Sequence, residues 1–122
     1  IPFRYGDYSP ICRNYLPADY RADTKAWPVT GSVYVEAEWA RDKAALESPW
    51  VAAVAAREGV PSVIVAWCDF AAPEAGALLA SHAAVPIVRG VRHKPAAAGK
   101  PQDARRNAPG SMDDPRWREG YA

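Results

Sequence analysis

The sequence predicts an α/β fold of three parallel strands with intervening helices. Two observations carry that expectation. Apolar, β-branched runs begin near residues 32, 61 and 86, and helical patterns fill the gaps between them. A strand-to-strand spacing of under about thirty residues is the rhythm of consecutive βα units. With right-handed crossovers, such units put the helices on one face and all strand C-termini on one edge.

The elements follow in order. Residues 1–30 read as an N-terminal loop and a short helix. The loop mixes Pro, Gly and aromatics, and Tyr5, Tyr8 and Tyr15 either line a pocket or anchor the loop. The helix covers Leu16 to Asp23, with Pro17 near its first position. Residues 31–95 form a βαβαβ core. Gly31 to Trp39 is the first strand, with Val33, Val35 and Ala37 on one face and Tyr34, Glu36 and Glu38 on the other. Arg41 to Leu46 forms a helical turn. Ser48-Pro49 supplies an N-cap and a first-position proline for a helix whose stripe is Val51, Val54 and Ala55, closed by Gly59. The run from Val60 to Phe70 is nearly all apolar, as in a strand covered on both faces. Trp67 and Asp69 share a face near its end. Pro73-Glu74 opens the next helix, with Leu78, Leu79 and Ala83 as its stripe. His82 reads as a surface or C-terminal residue of that helix. Val85 to Lys94 is the third strand, apolar at first and closing on Arg92-His93-Lys94. Residues 96–111 are a Pro/Gly/Ala-rich loop leaving from the polar strand edge, a position from which it can cover that edge. Residues 112–122 begin a further helix, capped by Asp114-Pro115.

Composition narrows the function classes. The 122 residues make one domain or part of one, and a net charge of +1 supplies no field for nucleic acid or a membrane surface. No run approaches the roughly 18 apolar residues of a membrane span. Cys12 and Cys68 have no metal-ligand spacing, and Cys68 reads as a small buried hydrophobe. With no signal-like start, a cytoplasmic protein is the expectation. Twelve prolines, more than the usual share of about 5%, point to many irregular connections. Ile1 is not an initiator methionine and the last helix stops early, so the chain is expected to be part of a longer one.

At the common strand edge Glu36 and Glu38, Trp67 and Asp69, and Arg92 and His93 would meet. Polar groups at that edge are how parallel α/β folds present side chains to a small-molecule substrate. Bland readings stand beside this one: Glu36 and Arg92 as a mutual salt bridge, His93 in a structural hydrogen bond, Trp67 as packing.

Four blocks, LPADYRAD (16–23), VYVEAEW (33–39), VRGVRHKP (88–95) and GSMDDPRWREGYA (110–122), resemble the amidohydrolase-related family, in its branch of TIM-barrel, metal-dependent hydrolases that includes lactonases. The resemblance implies an early fragment of a (β/α)8 barrel, which takes about 250 residues. It implies a hydrolase opening a lactone or a similar ester or amide ring. The family's His-x-His pair would precede Ile1, and its later histidines and catalytic aspartate would follow Ala122. A divalent metal such as zinc would therefore take its ligands outside this chain, and no metal ligand is assigned within it. What carries over is the substrate side. Arg92 would hold a substrate carboxylate, His93 would donate to a ring oxygen or move a proton, and Glu36 would bind hydroxyls or pair with Arg92. Glu38, Trp67 and Asp69 complete the substrate-binding candidates. The alternatives are a small α/β binding module or an inactive incomplete fragment. Three parallel strands alone leave edges and a lumen face open. The isolated chain is therefore expected to form a homo-oligomer or to be poorly soluble, and sedimentation of the purified chain as a monomer with a sharp reversible melt would contradict this.

Overall fold

The computed structural model describes residues 7–96 and 98–122. Tyr5 and the rest of residues 1–6 lie outside them. The chain divides into two compact units, Ile1–Thr30 and Gly31–Ala122.

In the first unit one 3-10 turn, Ser9–Ile11, precedes helix α1, Pro17–Thr24. Proline at the first position costs that helix no hydrogen bond, and Asp19 Oδ2 accepts the Leu16 N–H at 2.8 Å. Tyr15 donates its hydroxyl proton to Asp23 at 2.9 Å and is half exposed.

The second unit holds β1 (Val33–Val35), α2 (Glu47–Glu58), β2 (Val63–Trp67), α3 (Ala75–Ala83), β3 (Val88–Arg92) and α4 (Pro115–Tyr121). The three strands form one parallel sheet in the order β1-β2-β3. This is the α/β architecture that the βα rhythm implies. Among the described residues no helix is long and apolar enough to cross a membrane.

The central strand sets the two faces. Along β2 and its extension Ile64, Ala66, Cys68 and Phe70 are buried, while Val63, Val65, Trp67 and Asp69 alternate with them half-buried. The first set packs against the helices. Val51 of α2 meets Ile64 and Ala66, and Ala75, Leu78 and Leu79 of α3 meet the cluster of Cys68, Phe70 and Trp117. The second set looks away, beside Val33 and Val35, which are 60% and 40% exposed. The continuous apolar run of β2 therefore meets a covered face on one side only.

Several boundaries differ from the sequence expectation. β1 is short because Glu38 takes a left-handed conformation, φ 55°, which turns the chain out of the strand. β3 starts at Val88: Val85 to Ile87 form a turn, with Val88 N–H bonded to the Val85 carbonyl at 3.0 Å. Between Ile64 and Val65 the pairing jumps from Val88 to Gly90. Arg89 is thus an extra residue on β3, a bulge. It lets Val88 and Val91, three apart, both pack on the helical side.

Helix α2 begins at Glu47, one residue before the expected cap, and Gly59 ends it at φ 73° as expected. Ser48 is not the cap. Its hydroxyl lies 2.9 Å from His82 Nδ1, and His82 Nε2 lies 2.8 Å from the Trp67 carbonyl oxygen. Since that carbonyl can only accept, Nε2 carries the proton and Nδ1 accepts from Ser48. His82 is 2% exposed, so the expected surface position is corrected: it occupies the last turn of α3, facing inward, where it ties α2 to the end of β2. At the other end of the unit Asp114 caps α4, accepting from Arg116 N at 3.0 Å and Gly110 N at 2.6 Å. The Gly110 bond, first, holds its carboxyl below the ordinary carboxylate value. Gly120 lets α4 close on the sheet, since a Cβ there would fall 1.9 Å from the Phe70 carbonyl oxygen. Both cysteines are free thiols, and burial pushes the Cys68 thiol up.

His82→Ala strands the Ser48 hydroxyl and the Trp67 carbonyl in the core and opens a void. Chemical denaturation should register a loss of about 2–4 kcal/mol.

Candidate functional site

The strand C-termini share one edge, and Arg92 organises it. Arg92 is the register partner of Trp67 on β2, so its side chain starts from the uncovered face. It then reaches over the end of β2 to the residue just past β1. Its Nε donates to Glu36 Oε1 at 2.8 Å and its Nη2 to the Glu36 carbonyl at 2.9 Å. Glu36 is 2% exposed. Its other carboxylate oxygen accepts the Glu38 N–H at 2.9 Å. A buried carboxylate with every oxygen bonded to a cation or an N–H keeps its charge at low cost. The Arg92 side chain is 38% exposed, and its Nη1 has no partner among the described residues. The guanidinium can therefore meet a ligand by its Nη1 edge while its Nε edge stays on Glu36.

Below this clamp lies a second buried carboxylate. Glu47, the first residue of α2, accepts the Tyr34 hydroxyl at 2.7 Å and the Ala37 N–H at 2.6 Å, both on Oε1. Its Oε2 is buried without a hydrogen-bond partner among the described residues. Tyr34 thus faces the helices, and Glu47 holds the chain on either side of Glu36. Burial, then the Glu47 hydrogen bond, push the Tyr34 phenol well above its ordinary value of 10.0.

His93 follows Arg92 and turns to the helical side. Its Nδ1 accepts two protons, from the Phe70 backbone N–H at 3.2 Å and the Trp117 indole N–H at 2.9 Å. The ring proton therefore sits on Nε2, 3.7 Å from Asp69 Oδ1. That separation exceeds a hydrogen bond. The imidazole side chain is 8% exposed and that of Asp69 28%. Asp69 Oδ1 also accepts the Ala71 N–H at 3.0 Å. Phe70 and Trp117 meet edge to face at 5.5 Å, and Trp117 stacks on Tyr121 at 5.5 Å. Lys94 pairs with Glu38 at 3.0 Å, both largely exposed.

Arg92, Glu36, Trp67, Asp69 and His93 are thus on one edge, with Arg92 and Glu36 in direct contact and His93 beside Asp69. Glu38 and Lys94 form an exposed pair at its rim. Sequence reasoning missed Glu47 and gave Trp117 only a helical place. Glu47 falls outside any motif, and its role depends on Tyr34, met across the helix–sheet interface. The described residues do not assemble a metal site: no three of His, Cys, Asp and Glu group suitably. Both ring nitrogens of His82 and both carboxylate oxygens of Glu36 are already engaged.

No family profile matches the chain, and no solved structure matches it. It is similar to a protein of Sinorhizobium fredii (strain NBRC 101917 / NGR234), described as uncharacterized protein y4mH, with 31% identity over 120 residues. The match covers 98% of this chain and 40% of that protein, so the chain spans well under half of its relative.

The Tyr34 shift sets an alkaline limit. The native phenol keeps its proton at pH values where the unfolded chain releases it, so its contribution is complete below about pH 10 and declines as pH rises above that. Denaturation curves measured across this range should show a falling stability, and Tyr34→Phe should flatten the fall.

Proposed function

We propose that this chain supplies early strands of a (β/α)8 hydrolase of the amidohydrolase-related type, and that the whole protein opens a lactone or a similar ester or amide ring. The observation that supports it most is Arg92 at the common strand edge, held by Glu36 with its Nη1 edge still available. Parallel βα units deliver substrate groups to that edge in barrels. The uncovered valine face is a second support. Val33, Val35, Val63 and Val65 have the branched character and alternation of residues that fill a barrel interior. The relative is more than twice as long as this chain, which leaves room for the remaining units there.

On this reading Arg92 holds a substrate carboxylate, or the carbonyl under attack, by its outer edge. Trp67, its register partner, borders the same position. Glu36 keeps the guanidinium pointed outward rather than meeting the substrate itself. His93 acts through Nε2, because Nδ1 is taken. A divalent metal would need ligands other than those described, and no step is assigned to one. Two free thiols accord with a reducing compartment, and the reading carries a cytoplasmic location with it.

The test is hydrolysis by the full-length protein of a panel of neutral and acidic lactones, with and without chelator. Turnover of at least one lactone is expected, and turnover of none sinks the reading. Arg92→Ala should weaken use of acidic lactones by about 2–5 kcal/mol in kcat/KM, the range for truncating one partner of a buried charge pair. Its effect on neutral lactones should be smaller. An equal loss on both classes would remove the carboxylate contact.

A further inference from the structure

Glu36 is gripped through both of its peptide units. Its own N–H donates to the Val65 carbonyl of β2 at 2.9 Å. The next unit, which joins Glu36 to Ala37, is held from two sides. Its N–H, on Ala37, donates to Glu47 Oε1 at 2.6 Å, and its carbonyl, on Glu36, accepts from Arg92 Nη2 at 2.9 Å. This peptide is trans. A trans peptide is planar, and its N–H and C=O point in opposite directions. The carboxylate that fixes the N–H therefore also fixes where the carbonyl points. An anion on the N–H also polarises the unit and makes its carbonyl a stronger acceptor. Glu47 is the first residue of α2 and 3% exposed, and the Tyr34 hydroxyl donates to the same Oε1 at 2.7 Å. Oε2 takes no part: it is buried without a hydrogen-bond partner among the described residues. Stability alone gives little reason for a carboxylate there, since burying an unsatisfied oxygen is a net cost.

We propose that Glu47 is the positioning residue of the Arg92 site. Across the Glu36–Ala37 peptide it sets the seat of the guanidinium, and so the direction of the Nη1 edge offered to a substrate carboxylate. This rests on the hydrolase reading above and deepens it, by carrying the control of substrate binding from the strand edge into the first turn of α2. Glu47 itself touches no substrate. Its two hydrogen bonds differ in what they do. The Ala37 bond orients the guanidinium, and the Tyr34 bond fastens α2 to β1.

Three substitutions in the full-length protein separate these effects. Glu47→Ala removes the acceptor for the Ala37 N–H, Glu47→Gln keeps it on Oε1, and Tyr34→Phe removes only the other hydrogen bond. On an acidic lactone Glu47→Ala should raise KM about tenfold, within the range of coupling in one hydrogen-bond network, and leave kcat within about threefold. Glu47→Gln and Tyr34→Phe should keep KM within about threefold of the wild type. In an Arg92→Ala background Glu47→Ala should add no further rise, because its effect passes through the guanidinium. A rise that is equal in Tyr34→Phe, or that persists in the Arg92→Ala background, overturns the proposal. A second readout needs no turnover. Solvent exchange of the Arg92 Nε–H, followed by nitrogen–proton NMR, should quicken in Glu47→Ala and not in Glu47→Gln. Unchanged exchange in Glu47→Ala overturns the positioning role and leaves the hydrolase reading standing. Glu47→Leu, closer in volume, takes the place of the alanine variant if that one does not fold. If the wild type hydrolyses no lactone, the hydrolase reading falls, and the exchange measurement still decides whether Glu47 seats Arg92.

Discussion

A single guanidinium spans the end of the central strand and joins the outer two. Arg92 leaves β3, passes over β2 and reaches both the carboxylate and the main-chain carbonyl of Glu36. Without that bond Glu36 would be a buried anion held only by the Glu38 N–H, and buried unpaired charge is among the costliest defects a small fold can carry. The pair therefore constrains where β1 may end, how β3 must enter and which edge of the guanidinium faces out. The spare edge, on which the functional reading depends, is a by-product of that constraint.

The same economy recurs around the edge. The chain leaving β1 and β2 is held by buried side chains from neighbouring elements. Glu47 of α2 holds Ala37 after β1, His93 after β3 holds Phe70 after β2, and His82 of α3 holds Trp67 at the end of β2. Backbone groups at strand ends have no ladder partner, and burying them requires one from elsewhere. These ties couple α2, α3 and α4 to the strand ends, so the edge moves with the helical layer.

Much of the fold was legible because it rests on local period and spacing. The βα rhythm gave the parallel sheet, and the alternation in Tyr34–Glu38 and Trp67–Asp69 placed the polar ends. Pro115 after Asp114 marked α4, and Gly59 marked the end of α2. What could not be read depends on partners far away in sequence. Ser48 has the chemistry of a cap, yet His82 claims its hydroxyl. His82 looks like a solvated helix end until Trp67 and Ser48 surround it. Glu47 has no motif at all, because its meaning comes from Tyr34 and Ala37. The third strand's start was misplaced for a related reason: Val85 and Ile87 are good strand residues, but the exit from α3 spends them in a turn. The bulge at Arg89 has no periodic signature, though it decides which valines are buried.

Gly120 ties these threads together. Its missing side chain lets α4 lie against the Phe70 carbonyl, and that closeness brings the Trp117 indole to His93. Any larger residue would act as a spacer, lifting the indole from the imidazole and leaving the Phe70 N–H alone on Nδ1. An alteration at a position with no chemistry of its own would then reach the hydrogen bonds that hold His93. The atoms in the way are main chain and cannot swing aside, so a sequence change at the rear of the unit would unseat α4 and, through it, loosen the front.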